Sequence, residues 1–202
     1  MTHPDIRRRS IVTDVVQGIL LGAVLALFTA KLVIAAEDHA ISTTVNGWST
    51  TLKCGAPGNG ILVRSACAKD GAALNLPEEQ VYWQAFVDSA SHKLNGQRVY
   101  ILHFPPGGLP PNDAAWSLTM GDSRRGMVDN PIHRYSVGDR SGLVPNADGS
   151  IDIAIQITPP AVHESNWLPA PAADFMLWLR VYQPAAAILN GKYRVPPVVE
   201  VK

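Results

Sequence analysis

The fold is decided by residues 146–182, which read NADGSIDIAIQITPPAVHESNWLPAPAADFMLWLRVY. Isoleucine occupies every second position from Ile151 to Ile157, and the positions between them hold Asp, Ala and Gln. Such alternation is typical of a β-strand with one buried face. The last eight residues of the stretch alternate as well, but Trp178 and Tyr182 make their second face apolar. We therefore expect a second strand that is covered on both faces.

Prolines separate these two strands, at positions 159, 160, 169 and 171. Proline lacks the amide N–H that a central strand donates, so it interrupts a ladder of backbone hydrogen bonds. The segment between the strands is therefore predicted to be an extended crossing loop, and this loop carries Asn166 and Trp167.

Three more stretches show the same alternation, residues 81–87, 97–104 and 115–120. Turn-forming pairs such as Asn95-Gly96 and Asp148-Gly149 separate the candidate strands. Because no long helical pattern lies between them, the strands predict a mainly β fold. Antiparallel sheets packed face to face, as a sandwich or a barrel, are the expected architecture.

Two short helices and one disulfide are expected outside these strands. Helical spacing predicts a helix over residues 61–70, and a proline start with a glycine stop predicts another over residues 184–189, before a short terminal strand. Cys54 and Cys67 are the only cysteines. In an exported chain they favour a disulfide, although two free thiols remain the alternative because spacing alone does not bring the Cβ atoms together.

The charge of the chain is balanced, with 17 basic and 17 acidic residues. No summed electrostatic field favours a polyanion, so a nucleic-acid partner is not expected. The 16 prolines and 16 glycines punctuate short strands, as in β-rich proteins. About 160 residues follow the N-terminal segment, which is the size of one ordinary domain.

An apolar run over residues 11–36 predicts one transmembrane helix. Three arginines at positions 7–9 precede it and hold that end in the cytoplasm. Residues 15–36 would form a helix about 33 Å long at ~1.5 Å per residue, which matches a hydrocarbon core of about 30 Å. A cleaved signal peptide is the alternative, because the core of residues 18–30 has signal length and small residues follow it. We favour the retained anchor, and in both cases the remaining chain is exported.

The predicted organisation has four parts: a cytoplasmic N-terminus (1–10), the anchor or signal peptide (11–36), a tether (37–51) and a periplasmic β-sandwich domain (52–202). The tether is predicted from its polar composition, rich in Ser and Thr, with Trp48 resting at the membrane surface. The expected location is a bacterial inner membrane, crossed once.

Small residues recur at every fourth position of the predicted anchor, at Gly18, Gly22, Ala26 and Ala30. This spacing places them along one stripe of a helix, where a second helix can approach closely. Glycine and alanine are also common in bacterial anchors of any kind. The stripe predicts a membrane-protein partner or a second copy of the chain, in addition to the lipid bilayer itself.

Several separate motifs resemble, in the same order, those of the bacterial family called domain of unknown function 1214. They are residues 116–120, 128–131, 133–140, 146–150, 166–171 and 179–184. The resemblance covers about residues 59–199 and implies a β-sandwich of jelly-roll type. In many such proteins a domain of unknown function numbered 1254 precedes this one, whereas here the predicted membrane anchor stands in its place. The resemblance implies no particular reaction.

A candidate catalytic cluster lies within eleven residues and comprises Asp129, His133, Arg134 and Asp139. A histidine flanked by carboxylates can act as a general base, and Arg134 can hold an anionic group. The same residue types also hold a long loop in one shape, with Asp129 at a turn and Arg134 paired to a carboxylate. The residue types favour this second interpretation.

A candidate ligand site lies on the proline-bound loop, where His163, Asn166 and Trp167 combine an aromatic plane with polar groups. The alternative is that Trp167 plugs the end of the fold and Asn166 bonds the backbone. Arg180 belongs to the same set of candidates, because a charge within an apolar strand must be paired. Its expected partner is one of Asp129, Asp139 and Asp152.

No catalytic or metal-binding motif stands out. The six histidines form no H-x-x-x-H or H-x-H pair and the chain has no G-x-S-x-G, so neither a metal nor a cofactor is expected. The sequence favours a membrane-anchored periplasmic module that binds or scaffolds another envelope component, and it favours enzyme activity less. Two alternatives stay open: a periplasmic hydrolase that uses His133 and its acidic neighbours, and a small-ligand or glycan-binding module in which Trp167 stacks on the ligand.

Overall fold

The computed structural model describes residues 11–69 and 75–201. Its helices are α1 (Ile11–Ile41), α2 (Ile61–Lys69) and α3 (Ala186–Leu189), and a 3-10 turn covers Glu164–Asn166. Its strands are β1 (Thr43–Val45), β2 (Trp48–Thr50), β3 (Gln80–Ala85), β4 (Val99–Phe104), β5 (Asn112–Asp122), β6 (Ser136–Gly138), β7 (Ile151–Gln156), β8 (Trp167–Pro169), β9 (Phe175–Pro184) and β10 (Val198–Val201).

The strands form two sheets. The six-stranded sheet has the order β1-β2-β3-β9-β5-β6, and the four-stranded sheet has the order β10-β4-β7-β8. The pairings are antiparallel except that of β7 with β8, which is parallel. The predicted mainly β fold, with antiparallel sheets, short helices and a preceding apolar helix, is confirmed.

The main hydrophobic core lies between the two sheets. Leu118 and Leu179 enter it from the six-stranded sheet, and Leu102 and Ile155 enter it from the four-stranded sheet. All four are inaccessible to solvent. Burial of each such side chain contributes about 1.5–3 kcal/mol, so the alternating strands give the fold most of its favourable free energy.

The expectation that β9 is covered on both faces holds for part of the strand. β9 lies inside its sheet, paired with β3 on one side and β5 on the other. On the face turned away from the main core, Met176 is fully buried, whereas Tyr182 is 39% exposed. Tyrosine suits a partly exposed position because it combines an apolar ring with a polar hydroxyl.

The predicted tether is wrong over residues 43–50, which form a β-hairpin at the edge of the six-stranded sheet. Asn46 and Gly47 make its turn with positive φ angles of 55° and 80°, the conformation that an Asn-Gly hairpin turn requires. Trp48 is 1% exposed and belongs to the main core, so it does not rest at a membrane surface. The free energy gained by burying the Trp48 ring holds this segment in the sheet despite the polar residues around it.

Helix α1 continues past the predicted end of the anchor and packs against the folded domain. Ile41 joins Cys54, Ala66 and Cys67 in a second core cluster, and Ile34 packs against that cluster from one side. The two cysteines form a disulfide with a Cα–Cα distance of 5.6 Å, which ties α2 to the segment that follows β2. The helix therefore enters the domain directly, without a flexible connection.

The proline-bound segment is not a loop throughout. Residues Trp167–Pro169 form β8, a parallel strand at the edge of the four-stranded sheet. An edge strand needs its N–H groups on one side only, and this is why a proline is tolerated there. β7 ends at Gln156, one residue earlier than predicted, and Ile157 is 45% exposed.

Candidate functional site

The predicted catalytic histidine lies on the open surface. His133 Nδ1 is 3.6 Å from Asp129 Oδ1, and the two side chains are 76% and 83% exposed. Tyr135 donates a 3.1 Å hydrogen bond to the same Asp129 oxygen. That hydrogen bond, slight burial and the negative charge of Asp129 raise the pKa of Tyr135. Water surrounds the histidine and the acid, so the pair has no enclosed space in which to activate a substrate.

Arg134 ties its loop to the segment that contains Trp167. Its guanidinium donates hydrogen bonds to the backbone oxygens of Glu164 at 2.6 Å and Trp167 at 3.1 Å. Asn130 fixes the other end of the loop, because its side chain bonds both the N–H and the C=O of Arg134. Asp139 lies exposed after β6, and the arginine therefore binds carbonyls in place of the expected carboxylate.

The predicted stacking platform is buried. Trp167 is 5% exposed, and its indole N–H donates a 2.8 Å hydrogen bond to the backbone oxygen of Gln156. Asn166 bonds the N–H and the C=O of Val144 and the C=O of Asp152. His163, by contrast, is exposed and has a φ of 54°. Trp167 and Asn166 join the crossing segment to the sandwich and present no free surface to a glycan.

Arg180 pairs differently from the prediction. Its guanidinium donates a 3.1 Å hydrogen bond to the Thr119 hydroxyl and lies 5.0 Å from the centre of the Trp178 ring. Within the part of the chain that the structure describes, none of the three expected aspartates contacts it. A cation over an indole is stabilised by the ring quadrupole, which explains how the charge is tolerated in β9.

Sequence reasoning missed a cross-strand pair of polar residues on the four-stranded sheet. His103 and Asp152 lie opposite each other on β4 and β7, with Nδ1 and Oδ1 2.6 Å apart. Nearby, the Ser150 hydroxyl and backbone N–H bond Asp148 and lower the pKa of its carboxyl. The alternation of β4 and β7 is visible in the sequence, but the register that brings His103 to Asp152 is not.

A second missed cluster comprises Asp88, His92 and Glu200, whose potential ligand atoms lie within 4.8 Å of one another. Asp88 is 2% exposed, and its Oδ1 accepts hydrogen bonds from two backbone N–H groups. Arg98 lies 3.9 Å from Asp88 Oδ2 and 3.5 Å from Glu200 Oε2. Because the two acids share the guanidinium of Arg98, the cluster has the chemistry of an ion-pair network.

A partly open cavity of about 320 Å³ lies beside the C-terminal end of α1. Its walls come from the end of α1, the β1–β2 hairpin, β3 and the segment after α3. Its apolar lining comprises Ile41, Val45, Trp48, Leu52, Trp83, Ile188, Tyr193 and Val195. Ligand pockets span about 300–1,000 Å³ and are mostly apolar with a few polar groups, so this cavity has the size and lining of a small-ligand site.

The polar groups of the cavity are cationic or hydroxyl groups. Lys53 and Arg194 line the cavity, and both residues are exposed to solvent. Arg194 donates to the backbone oxygens of Gly191 and Tyr193. Tyr193 donates a 3.1 Å hydrogen bond to Gly108, and burial raises the pKa of its hydroxyl. The ring of Trp83 meets Tyr193 edge-on at 6.0 Å, which gives the cavity a rigid aromatic wall.

Comparison with known families gives a match to the model described as protein of unknown function (DUF1214), over residues 79–186. The match covers more than half of the 202 residues. The chain belongs to the DUF1214 family. The matched region begins at β3 and ends at the start of α3, so it contains most of both sheets.

Two solved structures resemble the DUF1214 chain. The VPA0106 protein from Vibrio parahaemolyticus is 28% identical with a TM-score of 0.61, and the match covers 72% of this chain and 36% of that protein. A putative uncharacterized protein from Burkholderia cenocepacia is 17% identical with a TM-score of 0.47, covering 66% of this chain and 33% of the other. The chain thus spans about a third of the length of each. No curated protein matches.

Most of the cavity lies outside the matched DUF1214 region. Of its lining residues, Trp83 lies within residues 79–186, and the others come from residues 41–53 and 188–195. The flanking segments therefore build this space against the edge of the family domain. Sequence reasoning missed it because residues 37–51, which supply part of its wall, were interpreted as a tether.

Proposed function

We propose that this DUF1214 protein is a single-pass protein of the bacterial inner membrane whose periplasmic domain binds another component of the cell envelope. α1 supports the proposal because it is long and apolar enough to cross a membrane, with 31 residues and a mean hydropathy of 2.4 in its most apolar window. A signal sequence also meets that test. We favour a retained anchor over a cleaved signal sequence because of the contacts at the C-terminal end of α1.

The observation that carries the proposal is the packing of α1 on the domain. The helix runs without a break through Val33, Ala35 and Ala36, the small residues after which a peptidase would cut. Ile34 lies before that point and Ile41 after it, yet both pack in the cluster around Cys54 and Cys67. Cleavage would remove Ile34 from this cluster. The disulfide also favours an oxidising compartment, since such bonds persist in the periplasm and are rare in the cytosol.

The test is retention of the full chain in the membrane. Membranes from producing cells are washed with alkaline carbonate, and spheroplasts are treated with protease. We expect the protein to stay in the washed membrane and its domain to be digested from the periplasmic side. A Leu25→Arg variant is the matched control, because a charge at the centre of a span costs about 2.5–3.5 kcal/mol on insertion scales. Release of the wild-type domain by the wash would contradict the proposal.

The proposed route to a membrane partner is the stripe of Gly18, Gly22, Ala26 and Ala30. A side chain added at Gly18 or Gly22 would meet nothing within 4 Å in the structure, so this face is open to another helix. Gly22→Leu is expected to remove a co-purifying partner because it prevents close helix approach. Val24→Leu lies about 200° away around the helix and serves as the control. Loss of the partner in both variants, or in neither, would exclude the stripe as the contact.

A further inference from the structure

The cavity beside α1 is placed where membrane lipid can reach it. Ile41 lines the cavity and lies five positions beyond Ala36, the last residue of the apolar run. At ~1.5 Å per helical residue, Ile41 is about 7.5 Å beyond the hydrocarbon boundary. The headgroup region adds about 5–8 Å on each side of the core. The cavity wall therefore stands at the level of the lipid headgroups, a placement that rests on the proposed membrane anchoring.

The lining of the cavity is amphipathic. Trp48 and Trp83 form apolar walls with Ile188 and Val195, while Lys53 and Arg194 supply positive charge. Neither cation pairs with a carboxylate among residues 11–69 and 75–201. Tyr193 adds no negative charge at neutral pH, because burial raises its pKa above the ordinary value of 10.0. The cavity thus combines an apolar interior with an uncompensated positive edge.

We propose that this cavity binds a single-chain anionic lipid taken from the bilayer around α1. The acyl chain packs against Val45, Leu52 and Tyr193, the lining side chains that are only partly buried, and the carboxylate or phosphate of the headgroup binds Lys53 and Arg194 through charge-assisted hydrogen bonds. A volume of about 320 Å³ is at the small end of ligand pockets, which selects one chain over two. The envelope component that the domain binds in the proposed function is then a single-chain anionic lipid.

The experiment uses full-length protein in nanodiscs of zwitterionic lipid, with brominated dodecanoic acid as the probe, because its shorter chain suits the size of the cavity. Bromine quenches tryptophan fluorescence on contact, and Trp48 and Trp83 line the cavity. We expect saturable quenching. The double variant Lys53→Glu/Arg194→Glu is expected to weaken the apparent affinity by at least about tenfold, because it removes both charge-assisted contacts. Arg140→Glu is the control, since Arg140 is exposed after β6, at the opposite edge of the six-stranded sheet.

A neutral probe and a cavity-filling variant complete the test. The methyl ester of the same brominated acid is expected to quench weakly, and Val45→Trp, which fills the cavity from β1, is expected to abolish saturable quenching by the acid. Equal quenching by acid and ester, unchanged by either variant, would show simple partition into the bilayer and overturn the proposal. Displacement of the probe by an equal concentration of inorganic phosphate would likewise overturn it, since it would show that the chain adds nothing to binding at the cationic edge. The intact mass of the same sample reports α1 separately, so a cleaved anchor and an empty cavity are distinguishable failures.

Discussion

The indole N–H of Trp48 donates a 2.8 Å hydrogen bond to the backbone oxygen of Pro196, 148 residues further along the chain. Asn46 adds a second such bond, of 2.9 Å, to the backbone oxygen of Val195. These bonds join the β1–β2 hairpin, which follows α1, to the segment that precedes β10. The segment after the helix is therefore part of the sandwich, and the helix and the domain form one mechanical unit.

The first prediction concerns this closure. Trp48→Ala is expected to destabilise the protein by about 3–5 kcal/mol, because it opens a cavity in the core and removes the bond to Pro196. Trp48→Phe keeps most of the ring and should cost less, about 1–2 kcal/mol. Denaturant unfolding followed by circular dichroism measures both. A Trp48→Ala protein within 0.5 kcal/mol of wild type would show that the hairpin is not part of the domain.

The sheets could be predicted from sequence where burial follows a regular period. The alternation in β4, β7 and β9 located three long strands to within about two residues, because a half-buried strand has no other way to arrange its side chains. The β1–β2 hairpin escaped prediction because each strand has three residues, too few to show a period. Its Asn46-Gly47 turn was the available signal.

The second prediction concerns the disulfide. Replacing both cysteines, as Cys54→Ser/Cys67→Ser, is expected to lower the free energy of unfolding by about 3 kcal/mol, the chain-entropy value for a loop of this size. Either single replacement should have a similar effect, because one free thiol closes no loop. Thermal unfolding with and without reductant measures the difference. A reductant that leaves the wild-type melting temperature unchanged while reducing both thiols would contradict the expected role.

The third prediction separates Arg134 from its neighbour His133. Arg134→Ala is expected to cost about 1.5–3 kcal/mol, because it removes charge-assisted bonds to the carbonyls of Glu164 and Trp167. Arg134→Lys should recover little of this, since an ammonium lacks the forked geometry that spans two carbonyls. His133→Ala, at an exposed position, should stay within about 0.5 kcal/mol. The reverse order of effects would indicate that the surface pair of His133 and Asp129 has the greater structural role.

The fourth prediction is a pH dependence that belongs to Tyr193. Burial raises the pKa of this hydroxyl above 10.0, so the folded state holds the proton more tightly than the unfolded state. The stabilising contribution is therefore fully present below about pH 10 and is lost as the pH rises further. Tyr193→Phe removes the bond to Gly108, at a cost of about 0.5–1.5 kcal/mol near neutral pH, but it also removes this alkaline loss.

Urea unfolding between about pH 8 and about pH 11 measures the Tyr193 effect, and the difference between wild type and Tyr193→Phe isolates it from the other tyrosines. We expect the two stabilities to converge as the pH rises. If the free energies of unfolding of the two proteins changed in parallel with pH, the Tyr193 hydroxyl would be solvated and burial would not raise its pKa.

The candidate sites were harder to predict than the fold. The residues around His133 and Trp167 were singled out from their residue types, and the structure shows what one of them bonds: Arg134 binds two carbonyls of the segment that contains Trp167. The cavity could not be predicted because its walls are far apart in the chain, from Ile41 to Val195. No local pattern marks residues that meet only when the first and last strands close.

The most direct test of the account is native mass spectrometry of the full-length protein, extracted from its own membranes in mild detergent. We predict an intact chain of 21.7 kDa, with α1 present and a bound companion. A chain that lacks about the first 36 residues and has no companion would contradict it.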